Sequence, residues 1–414
     1  MTQAVRNYLI VTAAYWGFTL TDGALRMLVL LHFYRLGYSP FSLALLFLLY
    51  EAAGIVSNLA GGWLATRFGI KRMLAIGLSL QVFGLLMLSL VDPAWSALLS
   101  VAWVVGAQGV AGVAKDVTKT ASKSAIKLTA AAGGGELFRW TAWFTGSKNA
   151  VKGLGFFLGG VLLDLIGFQP ALWLMAAMLA VVLVAAGLSL PGDMGRGSAS
   201  KSMKELFSKS SGVNILAAAR VFLFGARDVW FVVGLPVFLY AAGWGFAEVG
   251  GFLAAWTIAY GVVQGFAPSL VHRSADGLSR EAPALRLWAA LLAATPVLIV
   301  AVLASGLLSE TEAAFAAVAG LCLFGLLFAV NSSLHSYLIL AYAGSKKAAE
   351  DVGFYYAANA TGRLMGAFLS GLLYQLGGLE ACLIGSAAML ATSAAIAFML
   401  PAGSADAGSA PAST

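Results

Sequence analysis

Residues 8–34 read YLIVTAAYWGFTLTDGALRMLVLLHFY, an apolar run whose only formal charges at neutral pH are Asp22 and Arg26. A helix needs about 20 mostly apolar residues to cross a bilayer, so this stretch predicts a membrane span. Similar runs recur along the 414 residues, of which 60% are hydrophobic and 10% charged. A soluble domain has about 25% charged residues. The composition therefore excludes a soluble fold and predicts a polytopic membrane protein.

Apolar windows predict twelve transmembrane helices in two groups of six. The predicted spans are 8–34, 41–65, 73–91, 96–114, 143–166, 169–190, 213–240, 246–270, 285–304, 313–342, 353–376 and 379–400. Residues 191–212 are polar, basic and rich in glycine and serine, which predicts a cytoplasmic linker between the two groups. The predicted domains are a six-helix bundle over 1–190, the linker, a second bundle over 213–400 and a disordered tail over 401–414.

Basic residues orient the predicted spans, because positively charged loops face the cytoplasm. With the N-terminus inside, 18 of the 25 Lys and Arg lie in cytoplasmic segments, 6 lie within spans, and only Arg35 lies outside. We therefore expect a multi-pass protein of the bacterial inner membrane with both termini in the cytoplasm.

The two groups of spans share charged and glycine positions, which predicts an internal duplication. A shift of 206 residues superimposes Asp22 on Asp228 and Gly37 on Gly243. A shift of 211 residues superimposes Lys152, Gly155 and Gly160 on Arg363, Gly366 and Gly371. The predicted fold is all-α, with two pseudo-symmetric six-helix bundles.

Charged side chains within spans indicate function, because each is costly in lipid unless it faces protein or water. Charged and polar residues fall four or seven apart on single helix faces: Asp22 with Arg26, Lys148 with Lys152, Arg220 with Arg227, and Arg363 with the neutral Asn359. Away from the ends of the spans, six cations face only Asp22, Glu51 and Asp228, which leaves about three positive charges to be compensated by an anionic solute. We predict a central substrate site of Asp22, Arg26, Lys148, Lys152, Arg227, Asp228 and Arg363. The alternative is a set of structural ties between helices, such as an Asp22–Arg26 pair.

Lysines recur every four residues in AKDVTKTASKSAIK, residues 114–127. Two interpretations are open: an interfacial helix lying on anionic headgroups, or an electrostatic funnel that concentrates an anionic solute at the inner mouth. Lys115, nearest to the fourth span, is the candidate for substrate contact.

His335 lies in a polar cluster of the tenth span, where it would bind an oxyanion, exchange protons or serve as an interior hydrogen-bonding residue. Glu51 is equally open between a proton carrier and a structural tie. The candidates for proton coupling are Asp22, Glu51, Asp228 and His335. Counter-anion exchange and passive export are the alternatives.

The stretch GGWLATRFGIKR, residues 61–72, resembles the glycine-rich basic loop between spans two and three of the major facilitator superfamily. The matching positions, which that family uses as a gating loop, are Gly62, Arg67, Gly69, Lys71 and Arg72. Thr66 stands where the family usually has an aspartate, so this resemblance does not carry over the charge relay of that loop. The resemblance implies a secondary transporter that works by alternating access.

Three stretches resemble the organoarsenical efflux permeases of arsenic-resistance operons, the ArsJ type: residues 7–40, 114–128 and 146–160. The resemblance implies export of 1-arseno-3-phosphoglycerate, the product formed when a glyceraldehyde-3-phosphate dehydrogenase uses arsenate instead of phosphate. That dehydrogenase would be the functional partner. Composition and spacing by themselves lead only to a carrier of anionic solutes.

Rival functions are a carrier of another organic anion or organophosphate, a drug exporter, and a membrane-embedded enzyme or sensor. The chain has no G-x-S-x-G nucleophile motif and no phosphate-binding loop, and it has three histidines and two cysteines. We therefore expect no catalytic residues, no metal, no cofactor and no nucleic-acid partner.

Overall fold

The computed structural model describes residues 3–130, 134–192, 194, 210–267, 270–271, 279–342 and 348–400. These residues form helices joined by turns, and they include no strand. The helices are α1 (Gln3–Arg35), α2 (Pro40–Phe68), α3 (Ile70–Ser89), α4 (Ala97–Ala130), α5 (Gly134–Leu165), α6 (Phe168–Ser189), α7 (Ser211–Phe231), α8 (Gly234–Ala241), α9 (Phe246–Phe266), α10 (Glu281–Leu303), α11 (Glu310–Tyr342) and α12 (Ala348–Phe398). The predicted tail and most of the predicted linker lie outside the described residues.

Two irregular points relate these helices to the predicted spans. Helix α8 continues α7 after a break, where Ser370 Oγ accepts hydrogen bonds from the backbone N–H groups of Val233 and Gly234 at 3.1 Å each. Helix α12 bends at Gly377 and Gly378, and Gly378 has a φ of +63°. With α7 and α8 as one span and α12 as two, the described helices are consistent with twelve spans.

Among the span ends that differ from the sequence-based prediction, those of α2 and α4 bear on the site. The predicted fourth span ends at residue 114, but α4 continues to Ala130. The turn predicted over residues 61–72 is confined to Gly69, whose φ of +77° favours glycine, because α2 runs through Phe68. Hydropathy misplaces both ends, since it registers polar residues as loop even where a helix continues through them.

The outer surface of the bundle is apolar. Helix α6 exposes Trp173, Leu174, Val181 and Val184 by 54 to 69% of their surfaces. Nine segments of the described residues are long and apolar enough to cross a membrane by length and composition. Large exposed apolar patches are rare on soluble monomers, so this surface is typical of a protein surrounded by lipid.

The predicted duplication is visible in the backbone. The turns after α1 and α8 make the same three backbone hydrogen bonds, with each donor and acceptor shifted by 206 residues. Gly37 and Gly243 have φ angles of +85° and +91° in these turns. Gly167 and Gly378, which are 211 residues apart, also have positive φ angles. The two six-helix halves are therefore pseudo-symmetric, as predicted.

Glycines let the two halves approach closely at one end of the bundle. A side chain at Gly160 would collide with the backbone of Phe246 at the start of α9, and one at Gly371 would collide with Pro40 at the start of α2. These two contacts are related by the pseudo-symmetry. We call this end, which holds the turns at Gly37 and Gly243, the turn end.

Aromatic contacts also join the halves at the turn end. The rings of Tyr34 and Tyr240 are 5.6 Å apart, and the Arg35 guanidinium lies 5.6 Å from the centre of the Phe246 ring. The halves are therefore packed together here. The opposite end, where α1 begins and α12 ends, is the terminal end.

Candidate functional site

A cavity of about 280 Å³ lies between the two halves. That volume is close to the lower end of the range of small-molecule sites, roughly 300–1,000 Å³. Its wall includes residues 15–26 of α1, 51–58 of α2 and 148–156 of α5. The lining residues nearest to the turn end are Arg26, Glu51 and Phe156, and they lie 9 to 11 residues from the ends of their helices there, so the cavity is set back from the closed turn end.

Eight basic and three acidic side chains line this cavity. The basic ones are Arg26, Lys115, Lys119, Lys148, Lys152, Arg220, Arg227 and Arg363, and the acidic ones are Asp22, Glu51 and Asp116. A fourth acid, Asp228, lies directly behind the wall, where it contacts Arg227 and Arg363. Even with Asp228 included, basic groups outnumber acidic ones by four.

The structure thus brings together every predicted substrate-binding residue except His335. The sequence-based count has three acids within the spans, because Asp116 falls beyond the predicted end of the fourth span. The continuation of α4 through residue 130 places Asp116 in the cavity wall instead. The net positive charge that the sequence predicts is nevertheless present.

Glu51 is the acid shared by both halves. Its Oε1 atom accepts hydrogen bonds from Arg26 Nη2 at 2.5 Å and from Arg363 Nη2 at 2.6 Å. Lys115 Nζ lies 4.0 Å from the other oxygen, Oε2. Glu51 is 1% exposed. One buried carboxylate therefore compensates two arginines, one from each half.

Asp228 forms a second ion cluster in the C-terminal half. Its Oδ1 lies 2.5 Å from Arg227 Nη2, and its Oδ2 accepts from Arg363 Nε at 3.3 Å. Arg363 thus contacts two carboxylates, Glu51 and Asp228. Because both carboxylates are at most 1% exposed, breaking this cluster would leave buried charge uncompensated.

Asp22 does not make the ion pair that its spacing to Arg26 suggests. Its Oδ1 accepts a hydrogen bond of 2.6 Å from the Tyr50 hydroxyl, whereas Arg26 is paired with Glu51. The suggested Asp22–Arg26 tie is therefore wrong. Residues four apart on α1 share a face, but both side chains find their partners on α2.

Lys152 lines the cavity without a carboxylate within 4.0 Å among the described residues. Its Nζ lies 5.7 Å from the centre of the Phe156 ring. Helix α5 approaches α1 closely here, because a β-carbon at Gly23 would lie 2.7 Å from the Lys152 carbonyl oxygen. The side chain of Lys152 thus lines the cavity, while its backbone is packed tightly against α1.

The lysine ladder belongs to the cavity in its first half. Lys115 and Lys119 line the wall on α4, where Lys119 forms an ion pair with Asp116 and donates a 3.0 Å hydrogen bond to Asn58 Oδ1. The interfacial-helix interpretation is therefore wrong for these two lysines. The side chains of Lys123 and Lys127 lie outside the described part of the chain.

Arg220 is a cavity residue that the predicted site omits. Its Nε donates to Asn359 Oδ1 at 3.1 Å, and its Nη1 lies 3.2 Å from both the carbonyl oxygen and Oγ of Ser332. Its guanidinium carbon lies 3.9 Å from the centre of the Phe224 ring. The seven-residue spacing to Arg227 is the sequence signal that could have included it.

His335 does not line the cavity. It is fully buried in α11, and neither ring nitrogen has a hydrogen-bond partner in the described structure. Its neighbour Ser332 is the residue of that polar cluster that contacts Arg220. The structure therefore offers no contact between His335 and a solute in the cavity.

The predicted gating loop lies at the terminal end. Lys71 Nζ donates a 2.6 Å hydrogen bond to the Leu190 carbonyl at the end of α6, and the Ile70 backbone N–H donates to the Met194 carbonyl. Arg72 is exposed, Gly62 lies within α2, and the side chain of Arg67 lies outside the described part. The described residues of this loop thus form hydrogen bonds to the first residues of the segment that joins the two halves.

The sequence matches the model of the Major Facilitator Superfamily over residues 8–363, which is most of the chain. The chain belongs to the major facilitator superfamily. The crystal structure of a mutant of the nucleoside transporter NupG is similar to it, with a TM-score of 0.70. The two are 16% identical, and the match covers 95% of this chain and 98% of that one. At that identity the likeness shows the fold alone.

A search of curated protein sequences finds no match for this chain. Membership of the major facilitator superfamily makes the chain a multi-pass membrane transporter and not an enzyme. Its ion-lined cavity is accordingly a candidate for the solute-binding site.

Proposed function

We propose that this major facilitator protein is a secondary transporter that exports a small organic anion through the cavity between its halves. The observation that carries the proposal is the excess of basic over acidic side chains in the cavity wall, eight against three. Cations held away from bulk water are costly unless an anion compensates them. A solute with oxyanion groups would supply that compensation.

We further propose that the chain lies in the bacterial inner membrane with both termini in the cytoplasm. The distribution of Lys and Arg supports this orientation. The cavity would then open toward the cytoplasm, the side from which an exporter loads its solute. The bundles over residues 1–190 and 213–400 would rock about the central site to release the solute outside.

The specific solute that we propose is an organoarsenical, 1-arseno-3-phosphoglycerate, exported to confer arsenate resistance. The resemblance of the N-terminal half to ArsJ-type permeases supports this choice. A glyceraldehyde-3-phosphate dehydrogenase would supply the solute from arsenate. Phosphate and arsenate groups match the arginine and lysine side chains of the cavity, because guanidinium binds such oxyanions through paired hydrogen bonds.

Among the groups proposed for proton coupling, Asp22 has the most suitable surroundings. Glu51 and Asp228 each contact arginines, and His335 lies away from the cavity wall. Asp22 lines the cavity, accepts from Tyr50, and has no basic side chain within 4.0 Å in the described structure. Asp22 therefore has fewer ionic contacts to lose than Glu51 or Asp228.

Transport into everted membrane vesicles tests this proposal. Vesicles containing the chain are supplied with glyceraldehyde 3-phosphate, NAD⁺, arsenate and the dehydrogenase, which generates the unstable solute in place, and accumulated arsenic is measured. We expect arsenic uptake that depends on the dehydrogenase and is abolished by Lys152→Ala. Arsenic uptake that is equal with and without the chain would overturn the arsenical assignment.

A second candidate is a carrier of another organophosphate, since the surplus charge is not specific for arsenic. The same vesicles, given radiolabelled phosphorylated solutes or a neutral or cationic drug, separate the candidates. Uptake of phosphorylated solutes without arsenic would favour the second candidate. Uptake of the drug alone would contradict both anion proposals.

A further inference from the structure

Two cavity cations, one in each half, differ from the arginines at the centre of the cavity. Lys152 on α5 and Arg220 on α7 both line the cavity, and neither has a carboxylate within 4.0 Å among the described residues. The arginines at the centre of the cavity, in contrast, contact Glu51 or Asp228. Lys152 and Arg220 therefore keep charge that a solute can compensate.

Arg220 is held in place by neutral groups. Asn359 and Ser332 accept from its Nε and Nη1 atoms, and the rings of Phe224 and Tyr355 lie 3.9 and 4.9 Å from its guanidinium carbon. Its Nη2 atom has no hydrogen bond to the described protein groups. The side chain is thus oriented without being neutralised, and it keeps donors for an oxyanion.

The two cations are separated along the cavity. Arg220 lies seven residues before Arg227, which corresponds to about 10 Å along the axis of α7. Arg227 shares Asp228 with Arg363, the pseudo-symmetric equivalent of Lys152. Lys152 therefore lies at the central level, and Arg220 lies about two helical turns nearer to the terminal end.

We propose that Lys152 and Arg220 bind the two anionic ends of a single solute, which thereby bridges the two halves. This axial separation of the two backbone positions favours a solute with two anionic groups, because a short chain with an anionic group at each end can contact both side chains. The inference rests on the proposed function and deepens it, because it defines the substrate class as two-ended anions of metabolite size. Solutes with one anionic group would contact only one of the two residues.

Binding to the purified full-length chain tests this inference with stable, arsenic-free probes. Isothermal titration calorimetry compares 3-phosphoglycerate, which has a carboxylate and a phosphate, with glycerol 3-phosphate, which has only the phosphate. We expect the wild-type chain to bind 3-phosphoglycerate at least about tenfold more tightly. Lys152→Gln and Arg220→Gln should each remove about that tenfold advantage, because each deletes one charged contact.

Glycerol 3-phosphate shows whether the two cations bind separate ends of the solute or form one shared binding site. It should keep its affinity, within about threefold, in at least one of the two variants. Arg6→Gln is the matched control, because Arg6 is an exposed cation at the start of α1. This control should bind both probes like the wild type.

Equal wild-type affinity for the two probes, or no binding of 3-phosphoglycerate, would overturn the inference. So would an equal loss of both probes in both variants. If Arg220→Gln does not fold, the wild-type ranking and Lys152→Gln still decide the matter. Two-ended binding without arsenic uptake in vesicles would overturn the arsenical assignment alone.

Discussion

Lys152 and Arg363 occupy equivalent positions in the two halves, yet their surroundings differ. Arg363 contacts Glu51 and Asp228 at 2.6 and 3.3 Å, whereas Lys152 has no carboxylate within 4.0 Å among the described residues. The acids at equivalent positions also differ, since Asp228 pairs with arginines and Asp22 with the Tyr50 hydroxyl. The comparison teaches that duplication placed the charges, while their neighbours decided which cation is neutralised.

We expect the largest difference in stability when the two equivalent cations are substituted. Arg363→Gln should lower the free energy of unfolding by about 3–5 kcal/mol, because it leaves two buried carboxylates without one of their partners. Lys152→Gln should change it by less than about 1 kcal/mol, because it removes no ion pair seen between described residues. Thermal unfolding of the detergent-solubilised variants measures the difference, and equal losses would contradict it.

The equivalent acids, Asp22 and Asp228, should also differ in how much their substitution lowers the free energy of unfolding, with the larger loss again in the C-terminal half. Asp228→Asn leaves Arg227 without its carboxylate and should cost about 3 kcal/mol. Asp22→Asn keeps an acceptor for the Tyr50 hydroxyl, so its cost should be about 1 kcal/mol. The same unfolding measurement applies, with Asp92→Asn in an exposed turn as control. A larger loss for Asp22→Asn than for Asp228→Asn would reverse the comparison.

The contacts between halves at the turn end should, in contrast, respond symmetrically. Gly160→Ala and Gly371→Ala each place a methyl group against the backbone of the other half. Each should cost about 1–3 kcal/mol through overpacking. The thermal midpoints of the two variants should fall by similar amounts. Gly187→Ala, at a site with open space around the glycine, is the control.

The smallest effect is expected at Lys119, on the terminal side of the cavity. Lys119→Gln removes a cation that is already paired with Asp116. It should therefore slow vesicle uptake only about twofold to threefold at low salt, and the difference should disappear near 1 M salt, where the Debye length is about 3 Å. A loss that persists at high salt would indicate direct contact with the solute.

The fold could be predicted well from the sequence. Apolar runs, the offset of Asp22 to Asp228 and the glycine turns were sufficient for a duplicated membrane bundle. The ends of α2 and α4 could not be predicted, because hydropathy does not distinguish a polar loop from a helix face that lines a cavity. Lys115 and Lys119 are the clearest example.

The sequence predicts which residues belong to the candidate site better than it predicts which of them form ion pairs with one another. Their positions within apolar spans place Arg227 and Arg363 in the predicted site, and the seven-residue spacing gives Arg220 a face shared with Arg227. It could not assign Arg26 to Glu51, since that pair joins residues 25 apart on different helices. His335 is a candidate in the sequence because a polar residue in an apolar span looks functional, but burial separates it from the cavity wall.

The sequence by itself determined the class of protein, the duplication and the excess of positive charge within the spans, because hydropathy, charge and chain offsets are properties of the linear chain. The tertiary structure decided which charges neutralise one another. Ion pairs depend on distances of a few ångströms between helices, and such distances arise only when the helices pack. Within the described part of the chain, that packing left Lys152 and Arg220 without a carboxylate partner, while Arg363 received two.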